Sequence, residues 1–317
     1  MDARIGAYAS LAGSFILAGS SVVAGKMLSG LPVFFAAAGG AAIALLVLVP
    51  LAVGEARPDR GALRRSLPLL AVQAFFGVAL FRVLMLAALS RTSASEAGIA
   101  TSATPVITAL LSALFLKERI GWRAAAGIVF AAAGIGVLES GGAVVAGRAL
   151  PAVAVAERLA GCFLALGAAS SESVFNVISK RLDASIGPRR ASAAVMAIAF
   201  ILLAALSLAA REKVERGAIG LEAGLAFAYQ GIFASALAYI LFFAGIAKVP
   251  ASTAGVFSSC IPLSSFAFSA LVLGERPRAA AYAGCSLVVA SIAFCANARR
   301  GESVRPAELL GVEEDAL

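Results

Sequence analysis

The chain has 317 residues, of which 61% are hydrophobic and only 14% charged, with a mean hydropathy of +0.95, whereas a soluble domain carries about 25% charged residues. Too few polar side chains exist to cover the apolar ones in water, so the composition excludes an ordinary globule and selects a bundle whose outer face meets lipid. The net charge of +8 comes from 26 Lys and Arg set in short clusters between apolar runs, which read as topology signals and headgroup contacts; without a basic face interleaved with aromatics, no nucleic-acid partner is expected.

A membrane-spanning helix needs roughly 17 to 25 mostly apolar residues, and ten such runs follow one another along the chain. The first, Ile5 to Gly25, starts near Arg4 and ends in small residues around Ala24, a pattern shared with signal peptides. Its length, and its match of Gly13, Phe15 and Gly19 to Gly161, Phe163 and Gly167 in the sixth run, place it in the mature bundle. The second to fifth runs are Leu31 to Val53, Leu67 to Leu89, Ala94 to Leu116 and Trp122 to Leu138. A stretch broken by Gly141, Gly142, Arg148 and Pro151 then reads as a linker. Five more runs follow: Leu159 to Ser179, Ala191 to Ala210, Leu221 to Ile246, Ala251 to Leu273 and Ala279 to Ala296. The tail after Asn297 is polar and ends in Glu313, Glu314 and Asp315. Four units result: a five-helix repeat over residues 1–138, a linker over 139–157, a second five-helix repeat over 158–296 and a cytoplasmic tail over 297–317.

The repeat is the strongest signal. Moving the chain by 157 positions lays Gln73 to Leu138 on Gln230 to Cys295 without a gap. Gln73 meets Gln230, Ala94-Ser95 meets Ala251-Ser252, Pro105 meets Pro262, and Glu118-Arg119 meets Glu275-Arg276. Five spans per half is an odd number, so the second half enters from the opposite side and the repeat is inverted, an architecture of secondary transporters. With both termini cytoplasmic, 16 Lys and Arg fall on the inner side and 9 outside, with Arg82 left within the membrane, in accord with the positive-inside rule.

Inverted repeats place substrate at mid-membrane between the halves, where broken helices free backbone groups. Pro105 and Pro262, near the centres of the fourth and ninth spans, are read as gating kinks. Thr101, Ser102, Ser258 and Ser259, just before them, either line the pathway or satisfy carbonyls freed by the prolines. Arg82 in the third span and Glu172 in the sixth are ionisable groups at a depth where each must face protein or water; as one ion pair they would line the pathway. Arg82 corresponds to Tyr239 in the repeat, so the site is asymmetric there. Gln73, Gln230 and Asn176 are candidates to grip an amino or carboxylate group, and Tyr8, Phe75, Phe81 and Tyr229 to shape the cavity. The glycines of the first, second and fifth spans, among them Gly19, Gly39, Gly40 and Gly134, read as packing faces.

The chain has no histidine, and its cysteines (Cys162, Cys260, Cys285, Cys295) lie in apolar runs without metal-site spacing. No Walker, GxSxG, SxxK or HExxH motif occurs, so neither an enzyme, a metal nor a cofactor is expected.

Ten spans in two five-helix repeats, each fourth span closing on Glu-Arg (Phe115-Leu116-Lys117-Glu118-Arg119 and Val272-Leu273-Gly274-Glu275-Arg276), resemble the drug/metabolite transporter superfamily, most closely the bacterial EamA-type exporters. The resemblance runs from about Tyr8 to Ala296. In place of the Trp-Gly often found early in the family's first span stands Leu17-Ala18-Gly19. The resemblance implies an all-α inner-membrane protein with the lipid bilayer and a small-molecule substrate as partners and no obligate protein partner, exporting amino acids, aromatic ones included, by alternating access. Drugs, nucleotide sugars and lipid-linked metabolites are the alternative cargoes within that superfamily.

Overall fold

In a computed structural model of the protein, residues 3–28, 30–55, 60–89, 91, 101, 103–118, 121–140, 152–214, 219–273 and 279–297 are described. Among them every element is helical. The first half contains α1 (Ala3–Met27), α2 (Val33–Val53), α3 (Arg60–Ala74), a π-helical segment (Phe75–Leu80), α4 (Phe81–Leu89), α5 (Thr104–Leu116) and α6 (Trp122–Ser140). The second contains α7 (Ala152–Ser179), α8 (Pro188–Ala209), α9 (Leu221–Gly231), a second π segment (Ile232–Leu237), α10 (Ala238–Ile246), α11 (Ala251–Phe257), α12 (Cys260–Leu273) and α13 (Ala279–Asn297). The third and eighth spans are continuous through their π segments, and the ninth is α11 followed by α12. α7 begins at Ala152, inside the stretch read as linker; residues 141–151, the tail from 298, and the Glu275-Arg276 motif lie outside the described residues. Leu46, Leu114, Ile201, Leu208 and Leu271 are each 65–81% exposed, the lipid-facing surface that the composition demands.

The displacement of 157 holds element by element: the two π segments, the helices after them and α6 against α13 coincide end to end. The halves interlock. α1 packs on α10 and α12 of the second half, α7 on α4 and α5 of the first, α2 on α8, and α6 on α13. Glycines permit these approaches: a Cβ on Gly134 would lie 2.8 Å from the Val288 amide of α13, and one on Gly245 would lie 2.9 Å from the Ala7 carbonyl of α1. The first spans, however, align differently from the sequence reading. A Cβ on Gly13 would meet Leu241 and one on Gly167 would meet Leu84, each at 3.4 Å, and Leu84 and Leu241 are repeat equivalents. Gly13 therefore corresponds to Gly167, not Gly161, because packing against the opposite half sets the register whereas a short glycine pattern recurs by composition.

Carboxylates tie the halves together at the membrane surfaces. Glu55, after α2, accepts from the Arg190 amide at 2.9 Å and the Arg189 amide at 3.4 Å at the start of α8. Glu212, after α8, accepts from Phe34 and Phe35 at 3.1 and 2.8 Å at the start of α2. Each helix of this antiparallel pair thus ends on a carboxylate that satisfies the open amides of the other, where the positive end of the dipole favours it. Gly187 precedes α8 with φ +75°, and a Cβ there would lie 2.4 Å from the Glu55 carboxyl carbon. Gly187→Ala is expected to destabilise the protein by about 1–3 kcal/mol, strain plus loss of this cap, measurable as a lower Tm in detergent.

Candidate functional site

The centre of the molecule is built by the third, sixth and eighth spans. A π turn moves backbone bonds to the fifth residue along, as from the Phe81 amide to the Phe76 carbonyl, and in the first π segment two side chains of the other half add further donors. Ser171 of α7 donates to the Phe76 carbonyl at 2.7 Å, and the Tyr239 hydroxyl of α10 donates to the Gly77 carbonyl at 3.3 Å. Gly77 is open for a reason: a Cβ there would sit 2.4 Å from the Phe175 ring.

Tyr239 lies within electrostatic reach of both Arg82 and Glu172. Arg82 and Tyr239 are repeat equivalents, and equivalent positions approach one another only near the pseudo-two-fold axis, which for inverted repeats runs in the membrane plane. The cluster therefore marks the middle of the protein. Both charged residues are partly exposed. The expected Arg82–Glu172 ion pair is not formed; among the described residues the salt bridge found is Arg91–Glu157, 3.7 Å long at the surface.

One turn beyond Glu172 on α7 is Asn176, fully buried, and on α3 at a similar depth is Gln73, also fully buried. Neither amide has a hydrogen-bond partner on either atom, and the Thr104 hydroxyl is likewise unpartnered. Unpartnered buried amides are costly, and in a carrier they are groups a cargo can satisfy. Gln230, 6% exposed, packs its Cγ against Gly40 of α2.

The hydroxyls before the prolines are engaged locally. Ser258 donates to the Gly255 carbonyl at 2.7 Å and Ser259 to Val256 at 2.5 Å, serving the last turn of α11. Pro105 and Pro262 sit in the first turns of α5 and α12, where a missing N–H costs nothing. The break falls ahead of them. A proline cannot donate to the carbonyl four residues upstream, and the Ser258 carbonyl accepts from the Ile261 amide instead, at 2.9 Å. Thr101 is partly buried; Ser102 lies outside the described residues.

A group of packed aromatic side chains fills one side of the centre. Phe175 stacks on Phe242 with centroids 4.8 Å apart, Phe242 meets Phe243 at 5.5 Å and Phe15 at 6.0 Å, and Tyr8 stacks on Phe257 at 5.6 Å. This layer closes the half of the membrane at which α1 begins. In the repeat, Phe242, Phe243 and Phe257 correspond to Met85, Leu86 and Ala100. Toward the opposite face a cleft of about 490 Å³ opens between α1, α9 and α12, lined by Ser20, Ala24, Met27, Leu225, Tyr229 and Phe233, with Ser20 and Tyr229 bonded at 2.6 Å. Of the other aromatic candidates, Phe75 is 45% exposed on the outer surface and Phe81 is partly buried.

The profile of the EamA-like transporter family matches residues 4–139 and again 159–296. The chain belongs to the EamA-like transporter family. It is 29% identical over 290 residues to a Bacillus subtilis (strain 168) protein described as the uncharacterized transporter YetK, covering 91% of this chain and 86% of that one. It is 25% identical over 228 residues to an uncharacterized transporter of Archaeoglobus fulgidus, covering 72% and 77%. A solved crystal structure superposes with a TM-score of 0.76 over 92% of this chain and 96% of its own, at 23% identity, which shows the shared fold. This EamA-like chain is thus a multi-pass membrane transporter, not an enzyme, and its cargo is a small molecule.

Sequence reasoning singled out Arg82, Glu172, Asn176, Gln73 and Tyr239 but missed Ser171 as a donor to the π segment and the glutamates that cap helices across the halves. The spacing held a signal for the latter: Glu55 and Glu212 are separated by the repeat displacement, as are Glu118 and Glu275, and each stands just past an apolar span.

Proposed function

We propose that the protein exports α-amino acids from the cytoplasm of a bacterial cell by alternating access, binding them at the mid-membrane cluster of Arg82, Tyr239 and Glu172. The observation that carries this reading is that the cluster offers one cation and one anion, neither with an ionic partner among the described residues, and a tyrosine within electrostatic reach of both. An α-amino acid presents the complementary pair, a carboxylate for Arg82 and an ammonium for Glu172. Gln73 and Asn176 supply amides to the rest of the polar core, and the neighbouring ring of Phe175 favours apolar and aromatic side chains with loose selectivity. The loop charges support an inner-membrane location with both termini cytoplasmic, which tagging each end and probing from either side of the membrane checks. With that orientation the aromatic layer closes the cytoplasmic side.

In proteoliposomes, Glu172→Gln is expected to raise KM for amino acids by about 10- to 100-fold, the loss of a charge-assisted contact of roughly 1.5–3 kcal/mol. Flux of a deaminated carboxylate analogue should be unaffected. Equal loss for both cargoes, or a change in neither, refutes the zwitterion assignment. The same assay run against pH tests proton coupling: facilitated diffusion, the favoured reading, leaves the pH profile of flux unchanged in the variant.

The apolar cleft favours a second reading, in which a drug or lipid-linked metabolite enters sideways from the bilayer. Faster flux of an amphipathic cation than of any amino acid would establish it.

A further inference from the structure

Two pairs of spans carry carboxylates reaching across the halves, and they differ in whether the capped helix is continuous or broken. For α2 and α8 the caps at both membrane faces are made at once: Glu55 holds α8 at the face where α1 begins, and Glu212 holds α2 at the other. A contact engaged at both faces in one conformation is not what alternates. The pair is packed along its length and acts as a fixed spine.

The ninth span, in contrast, is broken into two helices, Ala251–Phe257 and Cys260–Leu273. Glu118, just past α5, accepts from the Ala251 amide at 2.9 Å, from the Ser252 amide at 3.3 Å and from the Ser252 hydroxyl at 3.0 Å. It thereby caps α11, whose residues Ala251 to Phe257 are all buried. The carboxylate is aimed by a local device: Lys117 adopts a left-handed conformation with φ +53°, which turns the chain off the helix axis toward the second half. Arg211, before Glu212, does the same with φ +52°. Beyond α11 the helix is interrupted at Ser258 and Ser259, so α11 is a short rod joined to α12 by a turn and fastened at its free end by one glutamate from the other half. The layer it helps to form, through Phe257 on Tyr8, is the one that closes this face.

We propose that Glu118 is the latch of the gate at the face where α1 begins: its cap on α11 is made while that face is closed and breaks when it opens, with the turn at Ser258–Ser259 as the hinge. Glu118 is a positioning residue and touches no cargo. Its repeat counterpart, Glu275, stands in the same relation in sequence to Ala94 and Ser95, and all three lie outside the described residues.

The inference rests on alternating access but not on the identity of the cargo, so its test uses no substrate. A cysteine at Thr253, in a background with Cys162, Cys260, Cys285 and Cys295 replaced by alanine, reports opening through its rate of reaction with a membrane-impermeant maleimide in sealed vesicles of each orientation. Glu118→Gln is expected to raise that rate about tenfold from the face where α1 begins and not from the other. Glu55→Gln, which weakens a cap of the spine at the same face, should leave it within about twofold. If Glu118→Gln is not monodisperse in detergent, Glu118→Asp, which keeps the charge but shortens the reach, and Ser252→Ala, which removes only the hydroxyl bond, should each give a smaller rise from the same face. An unchanged rate in folded variants, or an equal rise in Glu55→Gln, overturns the latch. A failed zwitterion assignment would instead appear in the flux comparison, with the labelling pattern intact.

Discussion

Arg82→Gln is expected to lower kcat/KM for amino-acid transport by at least about a hundredfold while the protein still inserts and folds. The guanidinium stands near the pseudo-two-fold axis beside Tyr239, partly exposed and without an ionic partner among the described residues. Truncating one member of a desolvated charge pair costs roughly 2–5 kcal/mol, and each 1.4 kcal/mol is a factor of ten. Because Arg82 is not holding Glu172, its loss leaves no orphaned carboxylate salt bridge, and stability should change little. Arg82→Lys keeps the charge but not the planar fork that grips a carboxylate at two points, and should recover only part of the activity. A decarboxylated amine cargo makes no use of the guanidinium, and its flux should survive both changes. Counterflow in proteoliposomes with the acid and the amine side by side reads all of this; a folded Arg82→Gln protein with normal amino-acid flux would place the site elsewhere.

The second large effect is structural. Gly19→Ala is expected to leave little folded protein, or to destabilise it by at least the 1–3 kcal/mol typical of an overpacked core. A Cβ on Gly19 would lie 2.0 Å from the Ser264 hydroxyl and 2.2 Å from the Ile261 carbonyl oxygen of α12. The serine can turn away, but the carbonyl belongs to the first turn of a helix and cannot. α1 would have to withdraw from α12, and in lipid nothing replaces the lost contact, since helix association there depends on close van der Waals fit. Gly13→Ala, whose Cβ would meet only the Leu241 side chain at 3.4 Å, should be nearly silent. Thermal unfolding of the two variants in detergent separates a packing requirement at Gly19 from a general intolerance of alanine in α1.

Much of this was readable without coordinates, and the reason is physical. Spans must be apolar and near-constant in length, so their positions show in composition, and an odd number of spans per repeat forces inversion whatever the side chains do. The correspondence of Arg82 with Tyr239 was likewise visible, since it needs only the displacement of 157 that Gln73, Pro105 and Glu118 also obey. The match of Gly13 to Gly161 failed because an alanine- and glycine-rich span offers several registers of similar score, and packing against Leu241 chooses among them.

What the sequence by itself determined is the kind of protein: two inverted five-helix halves in lipid, with ionisable groups left where only protein or cargo can meet them. Tertiary structure alone decided how those groups are used. It left Arg82 and Glu172 unpaired with each other near Tyr239, spent Ser258 and Ser259 on the broken ninth span, and sent Glu55, Glu118 and Glu212 across the halves to cap helices they do not belong to. Such choices depend on which side chain of one half comes within about 3 Å of an open amide or carbonyl of the other, a distance that no spacing along a single chain encodes.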